Sequence, residues 1–328
     1  MTNPTNVPIR IQRLSHMRYQ HADLPKARQF LEDFGMHVVY SENDGKSLYF
    51  AGQGPDAFVY VATAGETSAF LGGTFLVETK ADLERASDLI PGATKLLPAS
   101  PAGGFLVTFQ DPDGLPCNLV WGLPEREIVI QPSPDAVNYP VQKPRKGEFR
   151  RFKQEPCPIF KLGHFGLLVS SFEQTFDFYT RYFNLKATDV LTAPDGTKVA
   201  GFMHVDREEE WVDHHTFFFS MNARVGPHHC SFEVRDSDVQ AIGHDWLKAK
   251  GYTPSWGVGR HILGSQIFDY WYMPDNFMIE HYSDGDLVNN TFETNYLPAG
   301  DEALAIWGPA VPKGFMDAIP DESQRGTA

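Results

Sequence analysis

The chain has 328 residues, of which 42% are hydrophobic and 21% are charged, the composition of a globular protein with enough apolar material for about two domains. It carries 28 basic and 42 acidic residues, a formal net charge of −14. Because nucleic acids and anionic membrane surfaces bind clustered Lys and Arg, this balance argues against both as the main partner.

Compartment and membrane signals point the same way. No apolar run approaches the ~20 residues needed to span a bilayer, and residues 1–12 lack the apolar core of a signal peptide. The cysteines, Cys117, Cys157 and Cys230, have no CxxC spacing, so neither a disulfide framework nor a thiolate zinc site is indicated. A cytosolic (cytoplasmic) enzyme is therefore expected.

The first half of the chain alternates strand and helix patterns. Residues 14–19 alternate like a strand, and Asp23-Leu24-Pro25 has the form of a helix start, followed by apolar residues at helical spacing up to Phe34. The later patterns are strands at 47–51, 57–62, 73–77, 105–110 and 118–121, a helix near 81–89 and a turn at 111–114.

The second half repeats this order. Four of its segments echo the first half in sequence: 162–167 echoes the strand around His16, 172–183 the first helix, 229–234 the strand 73–77, and 273–280 the turn and strand 111–118. A repeat of this kind decides the architecture, so we predict four βαβββ units, two in each half, up to about residue 282.

Proline and charge mark the boundaries between the halves. Residues 126–158 are rich in proline with interspersed basic residues, which is typical of a surface connection. We therefore predict an N-terminal domain over 1–125, a connection over 126–158, a C-terminal domain over 159–290 and an extension over 291–328. The extension is rich in proline and aromatic residues up to 316 and is expected to pack over a pocket mouth or at a subunit contact, with disorder beyond Asp317.

The candidate chemistry lies in the second half. In the stretch 226–234, strand alternation puts His229 on one face and His228 on the other, so we expect one imidazole to face a cavity and one to face packing. Where the second half has His164, His229 and Glu280, the first half has His16, Gly73 and Asn118. Only the second copy thus carries three side chains that bind metal ions.

Two imidazoles and one carboxylate form the facial triad of non-haem Fe(II) oxygenases, which leaves coordination positions for substrate and dioxygen. A divalent ion with Glu280 keeps one net positive charge, which a singly deprotonated catechol neutralises in a partly dry pocket. The same donors also bind catalytic zinc, so the trio alone does not fix the metal.

Several separated motifs carry a family resemblance. They are His214-His215-Thr216-Phe217, Pro227-His228-His229, Gly259-Arg260-His261, Phe268-Asp269-Tyr270 and Ile279-Glu280-His281-Tyr282. Over residues 8–310 the chain resembles the two-domain extradiol ring-cleaving dioxygenases of the vicinal oxygen chelate superfamily, the catechol 2,3-dioxygenase and dihydroxybiphenyl dioxygenase type. This resemblance implies an α+β fold of four βαβββ modules, paired into two open-barrel, glyoxalase-like domains with metal in the C-terminal one only.

The resemblance also implies residue roles. The iron ligands would be His164, His229 and Glu280, with Fe(II), or Mn(II) as the alternative ion. His215 would act as the distal acid–base residue, Tyr270 would hydrogen-bond a catecholate oxygen, and His261 would hold the substrate oxygen or the pocket shape. The implied partners are a small catecholic substrate of aromatic catabolism and O2, the implied product is a muconic semialdehyde, and a homo-oligomer is expected.

Other interpretations stay open at this point. His215 lies in an apolar strand pattern, where it could be a core histidine, and Tyr270 lies among aromatics that usually serve packing. His228 and His214 are interpreted as supporting or structural. The alternatives for the whole chain are a glyoxalase-like metal-dependent isomerase or lyase and a non-catalytic protein that binds an aromatic ligand. A nicotinamide enzyme is disfavoured because the glycines near Gly259 do not form the dinucleotide-binding pattern.

Overall fold

The computed structural model describes residues 7–128, 136–300 and 304–320. These residues form two large sheets, one from each half of the chain, with helices packed against them. Across the described ranges, no helix is both long enough and apolar enough to cross a membrane.

The first half forms an eight-stranded sheet. Its elements are β1 (Ile11–His21), α1 (Leu24–Asp33), β2 (His37–Glu42), β3 (Ser47–Ala51), β4 (Tyr60–Ala64), β5 (Ala69–Val77), α2 (Lys80–Leu89), β6 (Leu97–Ser100), β7 (Gly103–Gln110) and β8 (Pro116–Trp121). The spatial order is β2-β3-β4-β1-β5-β8-β7-β6, so the two units of this half meet where β1 runs antiparallel to β5.

The second half forms a ten-stranded sheet on the same plan. Its elements are β9 (Ile159–Val169), α3 (Phe172–Tyr182), β10 (Leu185–Thr192), β11 (Lys198–Val205), β12 (Val212–Asp213), β13 (Phe217–Met221), β14 (Gly226–Val234), α4 (Ser237–Ala249), β15 (Thr253–His261), β16 (Ile267–Tyr272), β17 (Met278–Ser283), β18 (Leu287–Val288), β19 (Asn295–Pro298) and β20 (Ala305–Trp307), followed by a 3₁₀ helix, Phe315–Asp317. The order is β19-β10-β11-β13-β9-β14-β17-β16-β15-β20, while β12 and β18 form a separate two-stranded ribbon.

Each helix follows the first strand of its unit and begins in the same way. A short polar side chain accepts a hydrogen bond from the backbone N–H three residues further on, which satisfies one of the donors left free by the first helical turn. The four caps are Asp23, Thr79, Ser171 and Asp236. The helix starts are therefore encoded locally, in the first turn of each repeat.

The order of strand, helix and three strands occurs four times, so the predicted α+β fold of four modules is confirmed. The strands β2 and β6 were not predicted, and β5 begins at Ala69 rather than at 73. Strands β19 and β20, which fall in the segment set apart from 291 onward, pair with β10 and β15, the neighbouring strands at the two ends of the ten-stranded order. The predicted domain boundaries stay a prediction, and the predicted disordered tail falls largely on residues 321–328, outside the described ranges.

The two halves share one hydrophobic core. Phe75 from the first sheet packs against Phe165 from the second, with ring centroids 5.7 Å apart, and Phe165 packs on Phe217 at 5.0 Å. Fully burying such a side chain stabilises a fold by about 1.5–3 kcal/mol. A Cβ at Gly73 would lie 2.5 Å from the Phe165 ring, so this glycine lets the second half approach the first.

The sheet registers define which residues of the halves correspond. His16 pairs with Thr74 across β1 and β5, and His164 pairs with Ser231 across β9 and β14. The same ladders continue to the next strand, giving the equivalent sets His16–Thr74–Asn118 and His164–Ser231–Glu280.

This register corrects one equivalence drawn from the sequence. His229 stands two residues before Ser231, so its counterpart stands two residues before Thr74 and is Gly72, not Gly73. The sequence comparison was wrong by one residue because both β1–β5 and β9–β14 contain register shifts, which displace a simple count along the strand.

Candidate metal centre

Three buried side chains converge from three adjacent strands. His164 lies on β9, His229 on β14 and Glu280 on β17. Nε2 of His164 lies 3.1 Å from Nε2 of His229 and 3.2 Å from Oε2 of Glu280, and Nε2 of His229 lies 3.3 Å from the same oxygen. The sheet thus brings two imidazole nitrogens and one carboxylate oxygen onto one point.

The bonding state of these atoms fits a divalent metal. Both carboxylate oxygens of Glu280 are buried without a hydrogen-bond partner in the described structure, although the imidazoles lie at ion-pair distance. A buried carboxylate without donors is costly unless a cation compensates it. Two imidazole nitrogens and a carboxylate suit a first-row transition ion such as iron or manganese, so the residues present match the group that the motifs implied.

The protonation states suit metal binding as well. Burial raises the pKa of Glu280, but the imidazoles of His164 and His229 outweigh it and hold the pKa below the usual range. Burial lowers the pKa of both histidines, with Glu280 opposing the shift. At neutral pH the group is an ionised carboxylate between two neutral imidazoles, the form in which such ligands bind a cation.

The two adjacent histidines of β14 do not face opposite sides. Both His228 and His229 line the same cavity, and their Nδ1 atoms lie 2.7 Å apart. The prediction from alternation is wrong here because the register shifts between Pro227 and Cys230, which interrupts the regular pleat. When Nε2 of a neutral His229 binds metal, its proton sits on Nδ1 and is donated to His228, a contact that orients the ligand.

A cavity of about 160 Å³ adjoins the trio. Its walls are apolar, built mainly from Leu191, Val199, Phe202, Leu263, Leu304 and Phe315. None of the described residues that line it is Lys, Arg, Asp or Glu, and its polar groups are mostly imidazoles, with Tyr270, Ser220 and Gln266. The carboxylate of Glu280 lies behind this lining, and its Oε2 atom contacts Nε2 of both His164 and His229.

His215 lies just before β13 and lines the cavity beside the trio. Its ring centroid is 4.2 Å from that of His164 and 5.2 Å from that of Phe202. Burial lowers the pKa of His215 well below its ordinary value, and the neighbouring imidazoles lower it further. The ring is therefore neutral at neutral pH and able to accept a proton.

Tyr270 on β16 and His261 on the neighbouring antiparallel strand β15 form a hydrogen-bonded pair. The hydroxyl of Tyr270 lies 2.8 Å from Nε2 of His261, whose Nδ1 lies 2.7 Å from the carbonyl oxygen of Leu304. A carbonyl only accepts, so the His261 proton is on Nδ1 and Nε2 accepts from the hydroxyl. Tyr270 pairs across the sheet with Glu280, and burial, followed by that carboxylate, raises the pKa of Tyr270 well above its ordinary value.

The structure brings all six predicted site residues together. Sequence reasoning missed three contributors: the Leu304 carbonyl, the Phe315 ring that packs on His228 at 5.2 Å, and the Asp189 carboxylate beside His214. The aromatic-rich C-terminal segment hinted at the first two. No local pattern marks Asp189, which reaches the site only through the pairing of distant strands.

Comparison with known proteins finds a superfamily match in the second half of the chain and relatives that extend beyond it. Residues 161–280 match the model of the Glyoxalase/Bleomycin resistance protein/Dioxygenase superfamily. Metapyrocatechase 2 of Cupriavidus necator is 28% identical over 317 residues, which cover 93% of this chain and 92% of that protein. Biphenyl-2,3-diol 1,2-dioxygenase of Paraburkholderia xenovorans (strain LB400) is 25% identical over 209 residues, covering 62% of this chain and 61% of that protein.

Solved structures share the fold over nearly the whole chain. Homoprotocatechuate 2,3-dioxygenase from Arthrobacter globiformis superposes with a TM-score of 0.78 at 20% identity, covering 98% of this chain and 97% of its own. A Mn(II)-bound glyoxalase from Novosphingobium aromaticivorans superposes with a TM-score of 0.75 at 20% identity, covering 97% of this chain and 98% of its own. The two-sheet architecture is thus common to these proteins.

Proposed function

We propose that this chain is a two-domain extradiol dioxygenase of the vicinal oxygen chelate superfamily, and that it opens a catecholic ring beside its two hydroxyl groups with Fe(II) and dioxygen. The superfamily match over residues 161–280 and the similarity to metapyrocatechase 2 agree with the resemblance predicted from the separated motifs. In the finer proposal both oxygen atoms enter the product, a muconic semialdehyde. The observation that supports it best is the meeting of two imidazoles and a carboxylate beside a cavity that also contains His215 and Tyr270.

We propose His164, His229 and Glu280 as the residues that hold Fe(II), with Mn(II) as the alternative ion. When bound, the ion would supply a positive centre able to bind a catecholate and dioxygen together. The orphaned oxygens of Glu280 support this assignment, because no donor in the described structure satisfies them. His228 keeps the Nε2 atom of His229 available by accepting the proton of its Nδ1.

Tyr270 orients the substrate in this proposal. Its hydroxyl proton is directed at Nε2 of His261, which is itself fixed by the Leu304 carbonyl. The lone pairs of the Tyr270 oxygen are then left to accept a hydrogen bond from a hydroxyl group of the catechol. One catechol hydroxyl is thereby placed next to Glu280, the cross-strand neighbour of Tyr270.

His215 performs the proton transfers. A neutral imidazole in a buried wall accepts a proton from a catechol hydroxyl and returns it when the oxygen–oxygen bond breaks. Acid–base catalysis by a positioned side chain contributes about 10²–10⁴-fold to a rate. The low pKa of His215 in the free protein, caused by burial, keeps the ring in the proton-accepting form before substrate binds.

The cavity supports a one-ring, uncharged substrate. Its volume of about 160 Å³ compares with the ~150 Å³ of a cavity that holds benzene. Leaving an anionic substituent against apolar walls without a cation is unfavourable, and the described lining contains no Lys or Arg. We propose catechol itself, or catechol with a small apolar substituent, as the substrate class.

The test is direct. The protein is purified without oxygen, loaded with Fe(II) and mixed with catechols while oxygen uptake and the visible spectrum are recorded. One O2 consumed per catechol together with a yellow ring-opened product is the expected result, with catechol and 3-methylcatechol turned over faster than 3,4-dihydroxyphenylacetate. Turnover that is faster with the anionic catechol would contradict the substrate class alone.

Tight catechol binding without oxygen uptake would instead identify a ligand-binding protein. A glyoxalase-like isomerase would give no uptake but would convert a hemithioacetal. The contact between Tyr270 and His261 speaks for the dioxygenase, because it leaves a hydrogen-bond acceptor beside the carboxylate ligand. The expected homo-oligomer stays a prediction, which light scattering on the purified protein checks.

A further inference from the structure

A second histidine lies behind His215. Nδ1 of His214 is 3.1 Å from Nδ1 of His215, and both rings are buried. On its other edge, Nε2 of His214 is 2.9 Å from Oδ2 of Asp189, whose side chain is 3% exposed. A carboxylate and two imidazoles thus form a chain of contacts that ends at the cavity.

Asp189 is itself held in one orientation. Its Oδ1 atom accepts a hydrogen bond of 3.1 Å from the side-chain amide of Asn295 on β19. The hydroxyl of Thr188 donates to the backbone carbonyl of His214 over 2.6 Å, which fixes the position of the histidine relative to Asp189. Both oxygens of the carboxylate therefore have a defined neighbour.

The donor and acceptor roles follow in sequence. A carboxylate oxygen is an acceptor, so in a singly protonated His214 the proton on Nε2 points to Asp189 and Nδ1 is an acceptor. That acceptor faces Nδ1 of His215, which must then carry the proton of its own ring. Nε2 of His215 is left without a proton, and among the described residues it has no hydrogen-bond partner.

We propose that Asp189 and His214 are positioning residues that fix the His215 tautomer with its proton on Nδ1, so that an unprotonated Nε2 faces the substrate. The inference rests on the proposed function, in which His215 must first accept a proton. A His215 with its proton on Nε2 would meet the catechol hydroxyl as a donor and could not take its proton.

The sharpest variant is Asp189→Asn. Asn295 presents an N–H donor to Oδ1, so the oxygen of the new amide faces Asn295 and its NH₂ group faces His214. His214 must then accept at Nε2, carry its proton on Nδ1 and donate it to His215. The tautomer of His215 is thereby reversed by a substitution that preserves size and shape.

The direct readout is nitrogen NMR of histidine-labelled protein, loaded with diamagnetic Zn(II), at fixed pH. The His215 signals are assigned by their loss in His215→Gln. We expect the Nδ1–H tautomer of His215 in the native chain and the Nε2–H tautomer in Asp189→Asn. This measurement does not depend on turnover, so it stands even if the proposed reaction is wrong.

Kinetics provide the second readout. Asp189→Asn should lower kcat by about 100-fold with little change in KM and full iron content, within the range of acid–base catalysis. In a His215→Ala background the same substitution should have no further effect, because the pair acts only through His215. The matched control is Asp275→Asn, which alters another aspartate–histidine contact, 2.6 Å to His21, away from the cavity. It should leave kcat unchanged.

Three results would overturn the proposal. They are an Nε2–H tautomer of His215 in the native protein, an unchanged tautomer in a folded Asp189→Asn, and a kcat loss of equal size with and without His215. The first needs no variant, so the proposal can be refuted even if Asp189→Asn does not fold.

Discussion

Equivalent positions of the two sheets hold opposite kinds of residue. In the first half Asn118 is satisfied within the protein, since its amide donates to the carbonyls of Leu71 and Gly73 at 3.0 and 3.4 Å and accepts from Thr108 at 2.7 Å. In the second half, Glu280 has no hydrogen-bond partner in the described structure for either oxygen. The same frame thus supports a closed polar network in one half and an open set of ligand atoms in the other.

The remaining positions continue the contrast. His16 pairs through Nδ1 with the hydroxyl of Ser15 at 2.9 Å and packs on Phe58, while its equivalent His164 faces the metal centre. Gly72 replaces His229, and a Cβ there would lie 2.6 Å from both the Asn118 amide and the Pro116 carbonyl. The first half therefore has no room for a ligand at that position, and no single substitution creates a metal site in it.

The largest effect is expected from removing a ligand in the second half. His229→Ala should reduce bound iron to background and abolish oxygen uptake, because the two remaining donors do not retain the ion. Metal analysis after gel filtration measures the iron content. The control in the first half is His16→Asn at the counterpart of the ligand His164, because the counterpart of His229 is a glycine; it should keep both iron and activity. Iron loss in both variants would mean that the halves are not chemically distinct.

A second substitution separates holding the metal from using it. His215→Ala should keep iron and lower kcat by about 10²–10⁴-fold, since the residue transfers protons rather than binding the ion. Iron content and single-turnover rates measured on one preparation test this. If His215→Ala and His229→Ala lost iron equally, the division of roles would be wrong.

The closed site of the first half can be probed through stability. Gly72→Ala should lower the free energy of unfolding by about 3 kcal/mol, because it combines a positive φ of 105° with a collision against Asn118 and Pro116. Gly45→Ala is the control, with a φ of 84° but no atom within 4 Å of the new Cβ, and should cost about 1 kcal/mol. Equal losses in urea titrations would show that space at Gly72 does not matter.

The smallest expected effect concerns the loss of folding stability at low pH, which should occur in both halves. Burial, followed by the charge of Lys186, lowers the pKa of His204 in the second half to about 4, and burial also lowers the pKa of His16 in the first. An unfolded histidine titrates near ~6.5, so the unfolded chain binds more protons below that pH. For His204 the contribution to stability is complete above ~6.5 and is lost as pH falls through about 4.

Removing either histidine should therefore flatten the pH dependence. In metal-free protein, His204→Asn and His16→Asn should each reduce the stability lost on acidification by on the order of 2 kcal/mol. Urea unfolding at pH 7, 5.5 and 4 measures this. A flattened curve for His204→Asn only would show that the acid response, like the metal centre, belongs to one half.

The sequence was informative where structure is local or repeated. The helix start at Asp23, the alternation around His164 and the echo of the 111–114 turn by 273–276 are short-range signals that survive folding, so the four modules followed from them. The trio was likewise accessible, because its members occupy repeated strands and differ from their counterparts in the first half.

What the sequence could not provide depends on register and on distant contacts. The shift between Pro227 and Cys230 turns His228 toward the cavity, and a count along the strand cannot locate it. Asp189 contacts His214 only because strands β10 and β11 fold back between them. A prediction based on spacing has no means of joining these residues.

The C-terminal segment has a consequence for the solubility of the whole fold. Strands β19 and β20 pair with β10 and β15, whose outward backbone N–H and C=O groups would otherwise form the two edges of the sheet. Bare rows of this kind are templates for strands of other molecules, and short covering strands are a common protection. The same segment supplies the Leu304 carbonyl that orients His261. Removal of the C-terminal segment by a protease cut after residue 290 would therefore inactivate the site and leave two strand edges unpaired. Loss of activity and self-association should appear together.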